Sequence, residues 1–288
     1  MFDLKSVVRL CLVLFSITLS LPLSSQDVIF QKEDLNIYGK YIEVIKSTDS
    51  RDKQDILQTT AEFFLSTPYV AATLEQGEKE TLVINLRQLD CVTYIETVIA
   101  LSNTVNSGDL SFLNFVSNLR KIRYRNGEVK GYASRLHYTS DWIYENQQKG
   151  VLASLDLDSS LVLEDKTINF MSAHRHAYKS IKEDDEMLDE IKSIEDNINK
   201  RGGFWYLPKG KIEENTYKIP HMAMIAFTTR IEGLDTTHTG FTYKKSDGTL
   251  GFIHASSLKK KVVIDTKKLS DYCNSQRACT GIIIMKVE

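Results

Sequence analysis

The hydrophobic pattern of this chain changes period at Gly202-Gly203. Before that point apolar residues recur at three- and four-residue steps, the spacing of helices buried along one face. Ile56, Leu57, Ala61, Phe64 and Leu65 form one such set; Val92, Ile95, Val98, Ile99 and Leu101 another; Leu188, Ile191, Ile194 and Ile198 a narrow third. Segment 112–119 reads the same way, and a short helix is expected around 41–45. After Gly203 come short β-branched or aromatic runs at 222–229, 239–243, 250–255, 261–265 and 281–287, divided by turn residues. Helices followed by strands indicate an α+β fold, here a helical N-terminal half packed on an antiparallel C-terminal sheet. Between the first two helices, Pro68 makes Thr67–Val70 extended or a turn, and 82–86 alternates as a short strand.

The first residues follow a different logic. Lys5 and Arg9 precede an uncharged run from Leu10 to Leu23, with Ser24 and Ser25 after it. This is the layout of a secretory signal, too short in its apolar part for a comfortable membrane span, with a retained N-terminal anchor as the lesser reading. Residues 1–26 are therefore expected to be removed, with 27–50 an N-terminal extension and 51–288 the functional domain. The product is expected to be exported, most simply to a periplasm, to stay off the membrane and to act as a monomer. With 36 Lys and Arg against 38 Asp and Glu, the net charge of −2 gives no argument for nucleic acid.

Export bears on the cysteines. Cys11 leaves with the signal, so Cys91, Cys273 and Cys279 remain. Cys273 and Cys279 are close enough to pair across a short loop, or their spacing means nothing. Either way Cys91 is left over. It opens an amphipathic helix directly after Asp90, whose carboxylate can cap the first turn. At the positive end of the helix macrodipole a thiolate is favoured and its pKa is expected to fall.

A nucleophilic thiol needs an imidazole oriented by a third polar group. His238 and His254 lie on consecutive strands joined through Ser246-Asp247-Gly248. A two-residue Asp247-Gly248 turn, the locally favoured choice, would send the imidazoles to opposite faces. A three-residue loop would pair His254 with Gly240, put Gly248 in the left-handed conformation and bring both histidines to one face, toward Cys91. Arg135, His137, Tyr138 and Trp142 lie in a segment suited to stacking and orienting a sugar or peptide. A capped helix start that buries Trp142 explains the same residues. His174 and His176 lack acidic or thiol partners at ligand spacing, so neither metal nor cofactor is expected there.

These motifs resemble the papain-like NlpC/P60 cell-wall hydrolases: Asp90-Cys91 at a helix start, His238-Thr239-Gly240-Phe241, then Phe252-Ile253-His254-Ala255-Ser256. The set is most similar to the N-acetylmuramoyl-L-alanine amidase-like (DUF1460) branch through Thr67-Pro68-Tyr69-Val70-Ala71, Asn85-Leu86-Arg87, Asp90-Cys91-Val92-Thr93, Arg135-Leu136-His137-Tyr138, Gly233-Leu234-Asp235 and His254-Ala255-Ser256-Ser257. The resemblance implies a papain-like fold and a peptidoglycan or muropeptide substrate. It makes Cys91 the nucleophile, His238 the base and His254 the orienting group, with Tyr69 beside the thiol and, like Asp90, helping to bind substrate. It also implies cleavage between the lactyl group of N-acetylmuramic acid and L-alanine; the wider superfamily more often cuts between γ-D-glutamate and a diamino acid. Ile219-Pro220-His221-Met222 departs from the Gly-Asp that often follows proline in such enzymes. The rivals are a metal-dependent amidase using His174, His176, His221 or His238, and a wall-binding protein without turnover.

Overall fold

The computed structural model describes residues 28–49, 52–77 and 79–288. The expected secretory signal lies outside them. Five helices build most of the N-terminal half: α1 (Lys32–Ser47), α2 (Lys53–Phe63), α3 (Cys91–Asn106), α4 (Phe112–Arg123) and α5 (Thr139–Gln148). The first is longer than its weak periodicity suggested. It stays seated because Tyr38, Tyr41 and Ile45 bury one face, and the Tyr41 hydroxyl meets Thr60 at 2.9 Å. Among the described residues no helix is long and apolar enough to cross a membrane.

Ten strands accompany them among the described residues: β1 (Val28–Ile29), β2 (Leu82–Val83), β3 (Leu152–Ser154), β4 (Val162–Glu164), β5 (Phe204–Pro208), β6 (Met224–Thr229), β7 (Thr236–Lys244), β8 (Leu250–Ser256), β9 (Lys261–Ile264) and β10 (Cys279–Val287). β1 and β2 form a small parallel pair. The others make one sheet in the order β4-β5-β10-β6-β7-β8-β9, with β3 also against β10 and every pairing antiparallel. Strands β3 and β4 are three residues each, too short for a period of two to register. Met222, in the unusual 219–222 segment, takes a positive φ of 56°, and β6 begins two residues later.

Every residue of β6 is buried because both faces of the sheet are covered. On one face Met224, Ala226, Phe241, Ile253 and Ala255 share a core with Tyr94, Val98 and Ile99 of α3. On the other, Ile225, Phe227, Phe252 and Ile282 pack against Leu269 and Cys273 of the helix Leu269–Ser275. That helix was not apparent from the sequence, since its two turns bury little. A Cys273–Cys279 disulfide, with Cα atoms 6.0 Å apart, ties it to the first residue of β10. Closing so short a loop contributes about 2 kcal/mol by the chain-entropy argument. The Cys273→Ser/Cys279→Ser double variant is therefore expected to lose about 2 kcal/mol, measured by urea unfolding against the oxidised protein.

Candidate active site

The Cys91 turn is fixed from both sides along the chain. Asp34 of α1 accepts from the Leu86 amide at 2.8 Å and from Arg87 Nε at 3.1 Å. Asn85 Oδ1 accepts from the amides of Arg87 and Gln88. The Asn85-Leu86-Arg87 motif thus shapes the approach to the helix. Asp90 then caps it as expected, its Oδ1 accepting from Val92 N at 3.1 Å and Thr93 N at 2.8 Å. Thr93 Oγ1 accepts from the Asp90 amide, which completes a reciprocal capping box.

The turn between β7 and β8 takes the three-residue form. Lys245 pairs with Thr249 through its amide at 2.9 Å, and Gly248 has φ +82°. The register Phe241↔Ile253 therefore extrapolates to Gly240 opposite His254. The two imidazoles share one face, with His238 Nε2 2.5 Å from His254 Nδ1 and ring centroids 4.8 Å apart. Gly240 is required by this approach: a Cβ there would lie 2.8 Å from Ile253 O and 3.0 Å from His254 Cβ. Gly240→Ala is expected to cost about 1–3 kcal/mol through overpacking, read from its thermal unfolding.

That face is not the one expected. The imidazoles point to the side of Phe227 and Phe252, with centroids 5.7 Å (His238–Phe227) and 4.3 Å (His254–Phe252). Helix α3 packs on the opposite side through Thr239 and Phe241. The two meet because the β7–β8 ladder stops at Phe241↔Ile253, leaving the edge of β7 open at Thr239. There the Thr239 hydroxyl donates to Cys91 O at 2.8 Å, and Thr239 also hydrogen-bonds the Cys91 sulfur through its backbone. The thiol reaches the strand beside His238 at this edge rather than across a face.

Two groups not singled out from the sequence complete the cluster. Asp265, just after β9, places Oδ2 3.4 Å from His254 Nε2. Tyr272 sets its ring 5.8 Å from that of His254 and 6.3 Å from that of His238. Burial, then the charges of Asp265 and Cys91, push the Tyr272 phenol up to about 12. The available signal was register: Asp265 lies two residues beyond Val263, the partner of His254.

The thiol does not have the lowered pKa expected of a helix start. Loss of water around the sulfur, and next the charge of Asp90, push it up to about 11 against the hydrogen bonds from Thr239. Desolvation outweighs the macrodipole, whose effect is typically under about 1 kcal/mol. The residue as a whole is only partly buried, but its sulfur faces inward. Burial also holds His238 down to about 3, reinforced by His254. His254 is held down to about 4 by burial, with Asp265 pulling the other way. Burial thus favours the neutral form of the thiol and of both imidazoles.

The other expected site residues divide into two groups. A groove of about 420 Å³ beside the Cys91 turn is lined by Asp90, Glu75, Tyr132, Arg135, His137 and Tyr178, among others. Arg135 is buried there against Glu75 at 2.5 Å, and His137 bonds Tyr132 O at 2.8 Å. Tyr69 adjoins Cys91, and burial plus the Cys91 and Asp90 charges push its phenol up to about 12. Tyr138 and Trp142 are core residues, at 3% and 1% exposure. The Tyr138 hydroxyl donates to Glu195 at 2.7 Å and accepts from the Met171 amide. Neither is open to a ligand, which corrects their assignment to a subsite. A helix start that buries Trp142 forms here, with Tyr138 preceding α5 and no side chain capping it. His174 stacks on Phe170 and bonds its carbonyl at 2.8 Å.

Comparison with known proteins gives the family and solved structures of similar fold. A crystal structure of an N-acetylmuramoyl-L-alanine amidase from Bacteroides uniformis is 36% identical, with a TM-score of 0.75 over 82% of this chain and 99% of that one. A second crystal structure bearing the same description and source is 34% identical, with a TM-score of 0.72 and the same coverage. A DUF1460 protein from Legionella pneumophila shares the fold at 23% identity, with a TM-score of 0.67 over 88% of this chain and 94% of that one. No curated protein matches. Residues 59–282 match the AmiA-like family model, and the chain belongs to this N-acetylmuramoyl-L-alanine amidase-like family.

Proposed function

We propose that the protein is an exported cysteine amidase of the papain-like NlpC/P60 type. It would cleave the amide between N-acetylmuramic acid and L-alanine in muropeptides. The observation that carries this reading is the 2.5 Å contact between His238 Nε2 and His254 Nδ1, at the strand edge that meets the capped Cys91 turn. A chain of thiol, base and orienting imidazole is what acyl transfer requires. The family and its amidase relatives support the bond chosen.

With a neutral thiol and a neutral base at rest, deprotonation accompanies attack. His238 takes the Cys91 proton as the sulfur bonds to the amide carbonyl carbon. Collapse of the tetrahedral intermediate breaks the C–N bond, and His238 gives that proton to the leaving L-alanine amine. Water, deprotonated by His238, then attacks the thioester carbonyl; the C–S bond breaks, the sugar carboxyl group is freed, and His238 returns the proton to the leaving Cys91 sulfur. Asp90 caps Val92 and Thr93 but not Cys91, whose amide lies against its own sulfur and would donate to the oxyanion formed there. The groove lined by Asp90, Arg135 and His137 would take the sugar or stem peptide. Residues 1–26 would direct the protein to the periplasm.

Mass spectrometry of products from defined muropeptides tests the bond cleaved. Free muramic acid sugar plus intact peptide supports the amidase. A shortened stem still attached to the sugar replaces it with a γ-D-glutamyl-diamino acid endopeptidase. Binding without products, and without alkylation of Cys91, indicates a non-catalytic muropeptide-binding protein.

A further inference from the structure

We propose that Asp265 is a positioning residue that, through His254, determines which nitrogen of His238 is basic. The proposal deepens the cysteine-amidase reading and depends on it only for the kinetic part of its test.

The carboxylate is held firmly. Asp265 is 7% exposed, its amide donates to Phe252 O at 2.9 Å, and its Oδ1 accepts from the Lys267 amide at 2.9 Å. This leaves Oδ2 toward His254 Nε2, at 3.4 Å. That nitrogen is buried, in a residue 1% exposed, and no hydrogen bond of ordinary geometry reaches it, so the Asp265 carboxylate at 3.4 Å is the charged group it faces. The opposite nitrogen, Nδ1, is the one that meets His238. His254 thus has one neighbour at each nitrogen.

Proton placement follows from what each neighbour can do. An ionised carboxylate only accepts, so His254 carries its proton on Nε2. Its Nδ1 then holds a lone pair and accepts from His238 Nε2–H. Neutral His238 has one ring proton, so its Nδ1 is unprotonated and is the atom able to take a proton from Cys91. Without the carboxylate, His254 is free to keep its proton on Nδ1. His238 would then accept at Nε2 and carry its own proton on Nδ1, the wrong tautomer for a base. The same carboxylate also favours the imidazolium that forms during turnover.

The charged and titratable groups around the pair come from several elements. They are Cys91 of α3 with Asp90 before it, Tyr69, Tyr272 of the helix Leu269–Ser275, and Asp265 itself. Among them only Asp265 faces His254 Nε2 with a charge. Tyr272 meets the pair through its ring, 5.8 Å from that of His254 and 6.3 Å from that of His238.

The experiment compares the mature wild-type chain with Asp265→Asn and Asp265→Ala, each confirmed as folded by thermal unfolding. Nitrogen-15 NMR of labelled histidines reads the tautomers without any substrate. The expected wild-type result is Nε2–H on both His238 and His254, with a shift of His238 toward Nδ1–H in the variants. On a muropeptide, kcat is expected to fall roughly 10²-fold or more with KM changed less than about threefold. Asp265→Glu should recover part of kcat, and the acid limb of the kcat–pH profile should move in Asp265→Asn. Wild-type His238 protonated on Nδ1, or folded Asp265→Ala with unchanged tautomers and kcat, overturns the proposal. If Asp265→Ala does not fold, the near-isosteric Asp265→Asn decides it by the same readouts. Expected tautomers without muropeptide cleavage would uphold the role of Asp265 and reject the substrate.

Discussion

Cys91→Ala is expected to lower muropeptide turnover by at least about 10⁴-fold while leaving the protein folded. The proposed reaction has no other group that can form the thioester, and a neutral imidazole pair held down by burial is a poor substitute for the nucleophile. The structural effect should be small. The change removes one sulfur from a partly buried position, and the Asp90 capping bonds are to backbone amides that alanine retains. Unfolding free energy is expected to stay within about 1 kcal/mol of wild type. EDTA is expected to leave wild-type activity intact, because each step is assigned to Cys91, His238 or water. Loss of activity on chelation, with Cys91→Ala still active, would instead favour a metal-dependent amidase.

The largest stability effect is expected at Glu96. Its carboxylate meets Arg123 Nε at 2.6 Å with side chains only 2% and 3% exposed, and Arg123 Nη1 also donates to Val83 O at 2.6 Å. The pair joins α3 and α4 to strand β2 beneath the Cys91 turn. Burial raises the Glu96 pKa while Arg123 opposes that rise, a sign of charges kept together inside the protein. Removing one partner strands the other. Glu96→Ala is therefore expected to cost about 3–5 kcal/mol, measured by urea unfolding. Glu96→Ala combined with Arg123→Met should recover part of that loss, since an apolar pair strands no charge. Recovery would separate the cost of an orphaned guanidinium from the cost of the cavity.

The helix opened by Asp90-Cys91 was legible because capping and amphipathic spacing are local properties. The same holds for β6 to β9, whose runs are long enough to show a pattern. Helix Leu269–Ser275 was not legible, since Leu269, Ser270 and Cys273 are its buried residues and its position depends on a disulfide to β10. Trp142 and Tyr138 illustrate the opposite difficulty. An aromatic segment suits a binding groove and a core equally well, and only the burial of Trp142 in the main core and the bond from Tyr138 to Glu195 distinguish them.

What the sequence determined by itself was the identity and chain order of the reactive groups: a capped cysteine, then two histidines on neighbouring strands. Local chemistry suffices for that, because caps and strand periodicity depend on residues close in the chain. Tertiary structure decided three things that local chemistry cannot. The register placed Gly240 opposite His254, although Asp-Gly favours a shorter turn. The end of the β7–β8 ladder opened an edge where the thiol meets the strand. Burial then reversed the expected direction of the Cys91 pKa, because desolvation depends on every element packed around the sulfur, whereas the macrodipole belongs to one helix.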